Sequence, residues 1–140
     1  MWRWNLDFTA TFFYTEFMIK EEIALRNYAH IGDSVWEVFV RTYTIYKTSN
    51  SKLLHKITTE RVNAVFQKEM LGLINPVLTE DELELVRRAR NLSIPVGRRS
   101  IQADYRQATA FEVLIGYWYL HDSERLSYIY SIFKNTEYFS

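Results

Sequence analysis

Cysteine is absent from all 140 residues, and glycine (4) and proline (2) are scarce. Without a thiol there can be no disulfide framework, no zinc–thiolate or iron–sulfur site and no cysteine nucleophile. So few glycines and prolines leave too few turn residues for a β-sandwich or a many-turned barrel, and they exclude a collagen-like chain. No apolar run approaches the roughly 20 residues a membrane helix needs. The longest extends only from Val113 to Leu120. His30, His55 and His121 lack the HxxxH spacing of a zinc site, and there is no P-loop, GxGxxG or GxSxG. The first 17 residues are aromatic but carry Arg3, Asp7 and Glu16, so they do not resemble a secretory signal. The expected location is cytoplasmic, with no membrane partner.

What is present suits one soluble domain. Apolar residues make up 48%, charged residues 24% and aromatics 16% of the chain. The net charge of zero hides a strong asymmetry. Residues 87–106 hold Arg87, Arg88, Arg90, Arg98, Arg99 and Arg106 against Asp104 alone, a local charge of +5. Such a cationic segment in a mildly acidic body suits phosphate groups. A solvated loop pairing with acids elsewhere is the competing reading. We expect a single domain over 18–140, preceded by an N-terminal extension, 1–17, of no evident role.

The periodicity is helical throughout. Ala24, Tyr28, Ile31, Val35, Val38, Thr42 and Ile45 recur at steps of three and four, predicting a long helix over 19–47 with this stripe as one face. Ser49-Asn50-Ser51 breaks the pattern and caps a second helix expected over 52–73, which Asn75-Pro76 ends. Thr79 followed by Glu82 is a capping-box pattern opening a helix over 80–91, with acids first and arginines last, as the helix dipole favours. Residues 92–103, with Pro95 and Gly97, read as a cationic loop. Two more helices are expected over 104–121 and from Asp122-Ser123 to about Asn135. Strand-like alternation is not sustained anywhere, so the fold class is all-α with five to seven helices.

Two carboxylates stand out. Asp33 lies within Ile31-Gly32-Asp33-Ser34-Val35-Trp36, and Glu112 has Ala108, Thr109, Ile115 and Gly116 as its helical neighbours. Acids in such surroundings look buried, and a buried acid needs a cation. Gly32 and Gly116 beside them cost helix stability, which points to close approach of two backbones. Two acids meeting from separate helices suit a hard divalent ion and metal-assisted phosphodiester hydrolysis. A structural ion pair of each acid with an arginine is the alternative. Glu37, one turn before Arg41, reads as a surface ion pair.

At these residues the sequence resembles a known family. Tyr28-Ala29-His30-Ile31-Gly32-Asp33-Ser34-Val35-Trp36-Glu37 resembles the signature helix of ribonuclease III catalytic domains, and most closely that of the Mini-ribonuclease III branch. Leu54-His55-Lys56, then Val62-Asn63-Ala64 with Gln67, resemble that branch's second helix. Leu83 through Val86-Arg87-Arg88-Ala89-Arg90-Asn91 resembles its LxxVRRGRN stretch, with Ala89 in the glycine's place. Tyr105 through Tyr117 resembles YRHATAFEALIGY.

The resemblance implies an all-α, Mg²⁺-dependent (or Mn²⁺-dependent) endoribonuclease cutting double-stranded RNA. It implies a homodimer without a separate double-stranded-RNA-binding domain, acting on precursors of large-subunit (23S) ribosomal RNA. Carried over by motif, Asp33 and Glu112 are the catalytic and metal-binding acids. Arg87, Arg88, Arg90, Arg98, Arg99 and Arg106 would hold the RNA backbone. Full-length ribonuclease III enzymes have two further acids, at positions matching Ala29 and Thr109, which Mini-ribonuclease III proteins also lack. The rival reading is a catalytically silent ribonuclease III-like protein that binds RNA or the ribosome; both acids being present speaks against it.

Overall fold

The computed structural model describes residues 22–94 and 102–140. The extension 1–17, and most of the loop expected over 92–103 including Arg98 and Arg99, lie outside the described residues. Six α-helices and no strand are present among those described: α1 (Glu22–Thr44), α2 (Ser51–Val62), α3 (Ala64–Ile74), α4 (Glu80–Arg90), α5 (Gln102–His121) and α6 (Ser123–Lys134). Short 3₁₀ turns follow α3 at Asn75–Val77 and α6 at Glu137–Phe139. The all-α expectation holds. No described helix is long and apolar enough to cross a membrane.

The helix expected over 52–73 is two helices. Asn63 has extended backbone (φ −78°, ψ 165°), ends α2, and accepts the Phe66 amide on its own side chain at 2.8 Å to start α3. A side chain that caps the following turn competes with continued helix, and here it wins. The other boundaries follow their capping chemistry. Asn50 accepts the Leu53 amide, Asp122 accepts the Arg125 amide, and Thr79 and Glu82 form the reciprocal capping box.

The long helix α5 is the centre of the molecule, packing against α1, α3, α4 and α6. Its buried run Ala110, Phe111, Val113, Leu114 and Ile115 is shielded on all sides by these neighbours. Trp36 of α1 is fully buried against Phe66, Phe111, Phe133 and Phe139, and its indole N–H donates to the Arg61 carbonyl at 2.8 Å. Large side chains of this kind each contribute roughly 1.5–3 kcal/mol on burial, so the aromatic-rich composition becomes the core.

The buried residues of α1 coincide only in part with the apolar stripe of its sequence. Leu25, Tyr28, Trp36 and Val40 are buried, whereas Val38 is 65% exposed and Ile45 54% exposed. The helix is apolar on two sides. One side packs on α5, and the other, through Val35, Val38 and Phe39, lines an outward-facing groove.

Candidate active site

The site is built where α1 crosses α5. Each helix carries a glycine at the crossing. A Cβ on Gly32 would land on the Glu112 carbonyl, and one on Gly116 would land on the Tyr28 carbonyl. The backbones therefore touch with no side chain between them, which is the close approach expected of these glycines. This contact brings the residue after Gly32, Asp33, to the side chain of Glu112.

The two carboxyl groups lie within hydrogen-bonding reach of each other. Burial, followed by that contact and the Asp33 charge, pushes the Glu112 carboxyl up to about 9, with only the Gln67 amide acting in the opposite direction. Gln67, on α3, is 3% exposed. Its amide lies against the Glu112 carboxyl, yet its Nε2 completes no hydrogen bond with any protein group.

Asp33 departs from the expectation of burial, for it is exposed while Glu112 is half-buried. The reason is angular. Gly32 faces α5 directly, and one residue further round the helix Asp33 stands at the rim of the crossing. Among the described residues no lysine or arginine is within ion-pair distance of either acid. Nor do they include any group of three or more histidines and acids that could hold a metal. The pair is thus two adjacent carboxyl groups with no basic partner among the described residues, one wet and one sheltered, a donor set of hard oxygens once deprotonated.

The family model described as Ribonuclease III domain matches residues 26–123, a stretch that contains both acids and both glycines. The chain belongs to the ribonuclease III family. Its relatives place it in the Mini-ribonuclease 3 branch. It is 40% identical to Mini-ribonuclease 3 of Gloeobacter violaceus, over 76% of this chain and 79% of the relative. It is 37% identical to that of a Synechococcus strain, over 84% and 86% of the two chains. With the Clostridium tetani protein of the same name it shares 38%, over 89% and 87%. A crystal structure of a protein from Fusobacterium nucleatum superposes with a TM-score of 0.70 at 30% identity, covering 84% of this chain and 94% of that one. Membership in this branch makes the chain a ribonuclease, a hydrolase of phosphodiester bonds.

Within this ribonuclease III domain the arginines occupy distinct environments. Arg87 is exposed and forms a two-pronged pair with Glu84, at 2.9 and 2.6 Å. Arg88 and Arg90 are half-buried on the last turns of α4. Arg87 and Arg90, with Lys68 of α3 and Gln107 of α5, line a groove of about 560 Å³. Lys68 directly follows the residue that contacts Glu112, and it pairs with Asp104 at 3.0 Å. Arg106 points inward. Its guanidinium donates to the carbonyls of Arg90 and Leu92, while Arg26 donates to Ser93 at 2.9 Å. These two cations secure the C-terminal end of α4, where free carbonyls and the helix dipole attract positive charge.

Glu37 and Arg41 pair at 2.7 Å on the surface, as their spacing predicts. Two residues take on roles that the sequence does not announce. Gln67 stands alone among apolar residues at helical spacing, Met70, Leu71 and Ile74, and a lone amide on such a face is the signal that marks it. Glu82 is more than a cap. It also accepts from the Trp118 indole at 2.8 Å and from Arg125 at 2.9 and 2.7 Å, joining α4, α5 and α6. Burial is the largest single influence on its carboxyl and raises its pKa. The hydrogen bonds from Arg125, the Thr79 amide and Trp118, with the Arg125 charge, outweigh it and hold Glu82 below the usual carboxylate range.

Proposed function

We propose that this ribonuclease is a divalent-metal-dependent endonuclease of double-stranded RNA, using Mg²⁺ or Mn²⁺ held by Asp33 and Glu112. The observation that carries the reading is the convergence of these two carboxylates at the crossing of α1 and α5, without a basic partner among the described residues. Two adjacent acids that repel each other fit a hard divalent cation, and Gln67 beside them leaves the pair's charge free. Such an ion supplies Lewis acidity and an activated water for phosphodiester hydrolysis. Glu112, sheltered and held by its helix, provides the fixed ligand. Asp33, exposed at the rim, provides the one that the RNA phosphate can approach. With only two acids, water and phosphate oxygens complete the shell.

Arg87, Arg88 and Arg90, with Arg98 and Arg99 of the following segment, hold the phosphate backbone. Arg106 supports that segment from below by fixing the end of α4. An A-form duplex is read through shape, phosphates and 2′-hydroxyls, which suits a cationic surface without a base-reading element. The large-subunit ribosomal RNA precursor as substrate, and the cytoplasm as location, follow from the resemblance to the Mini-ribonuclease III branch. A homodimer is supported by the outward groove of about 820 Å³ between α1 and α6. Val38 and Tyr119, 65% and 51% exposed, line it as an apolar surface of the kind that self-association covers.

Incubation of the purified chain with duplex RNA and with a precursor 23S transcript, with and without Mg²⁺, tests the reading. Cleavage should require the ion, and Asp33→Asn or Glu112→Gln should nearly abolish it while duplex binding survives. A well-folded Glu112→Gln protein cutting at the wild-type rate would overturn the assignment.

A further inference from the structure

We propose that Gln67 is a positioning residue whose amide donates to the Glu112 carboxylate and fixes its orientation toward a bound divalent ion. The inference rests on the metal-binding reading of Asp33 and Glu112. Gln67 is 3% exposed and sits on the side of α3 that packs against α5. Almost every buried side-chain donor in a folded protein has a partner. The Gln67 Nε2 has none, and the group it lies against is the Glu112 carboxyl. A fold that keeps a buried amide unsatisfied when an apolar side chain of the same size would fill the space leaves a donor in waiting. The acceptor that would complete it is Glu112 in its charged form.

The residue type suits this role better than its alternatives. A lysine or arginine at 67 would neutralise Glu112 and compete with the ion. An acid would add a third repelling charge. A leucine or methionine would fill the volume and leave the carboxylate free to turn. A glutamine donates without carrying charge, so one Glu112 oxygen can be held while the other stays available to the cation. Groups that orient a metal ligand from behind set affinity in this way, and their loss typically weakens metal affinity or activity by about 10–100-fold.

The test uses the full chain and Mn²⁺ as the probe. Free Mn²⁺ is counted by electron paramagnetic resonance for the wild type, Asp33→Asn, Gln67→Met and Gln67→Leu, with melting curves recorded in EDTA. The expected result is that Gln67→Met melts near or above the wild-type temperature, because the buried Nε2 it removes has no completed hydrogen bond, yet binds Mn²⁺ about 10-fold more weakly or worse. The Mn²⁺ concentration giving half-maximal cleavage should rise by the same factor, while the rate at saturating Mn²⁺ stays close to the wild type. Equal Mn²⁺ binding by wild type and Gln67→Met would overturn this inference alone. Failure of both Gln67 variants to fold would make the amide structural and overturn it as well. Absence of Mn²⁺ binding in the wild type, or unchanged binding in Asp33→Asn, would overturn the metal reading beneath it.

Discussion

A carboxyl group that titrates near 9 ties the stability of the metal-free chain to pH. Glu112 is pushed up from its ordinary 4.5 to about 9 by burial and by Asp33. Between those values the folded chain holds a proton that the unfolded chain has released. The stabilisation is full below about 4.5 and is lost as pH rises through 9. The melting temperature of the metal-free wild type should therefore fall from pH 5 to pH 8 by more than that of Glu112→Gln, whose amide cannot titrate. Parallel curves for the two proteins would mean that Glu112 is solvated. Had each acid paired with an arginine, removing its charge would instead have left a buried cation and cost stability at every pH. Asp33 illustrates a limit of reading residues from sequence. Its apolar neighbours predict burial, but a helix turns by about 100° per residue, and one step from the contact face is enough to reach solvent.

Helix ends and glycine placement were legible because they depend on local chemistry. The Thr79–Glu82 box, the Asn50 and Asp122 caps and the stop at Asn75-Pro76 all lie where their side chains predict. The break at Asn63 was not legible, because an asparagine in a helical run reads as an interior residue until its side chain is seen to cap the next turn. The threefold role of Glu82 was hidden for another reason, since Trp118 and Arg125 reach it from helices far along the chain. The glycine crossing makes a strong claim at this scale. Gly32→Ala or Gly116→Ala would force α1 and α5 apart at backbone level and should cost about 3 kcal/mol or more. Calorimetry should show a drop in melting temperature of roughly 6–12 °C for a chain of this size. A variant melting within about 2 °C of the wild type would show that the helices separate easily. The cationic end of α4 makes a second claim. Alanine at Arg88 or Arg90 should weaken duplex binding without favouring any sequence. The log–log salt slope should shrink by about one for each phosphate that is no longer neutralised. Arg106→Ala should act mainly on stability, because its donors already serve the Arg90 and Leu92 carbonyls.

At the scale of the whole molecule, α1 presents two apolar sides, and the described residues cover only one of them. The groove containing Val38 and Tyr119 is the uncovered one. If the proposed homodimer forms through this groove, Val38→Glu should shift the chain from dimer to monomer in sedimentation or light scattering, while the helical circular dichroism signal stays unchanged. A wild type that is monomeric at tens of micromolar would remove this groove from consideration as a dimer interface. Deletion of residues 1–17 should leave both folding and cleavage intact, because the two acids and the core of the described residues lie within 25–140. A large loss of activity on that deletion would show that the extension contributes to the site.

The meeting of Gly32 with Gly116 also sets a clock. Asp33 and Glu112 are 79 positions apart in the chain, so a ribosome adding ~5–20 residues per second makes one about 4–16 s before the other. Through that interval α1 has no backbone to press against and Asp33 has no second carboxylate. On the proposed assignment of Asp33 and Glu112, a nascent chain therefore carries half a site and should not cut RNA, including the RNA of the particle translating it, until α5 has emerged and crossed α1.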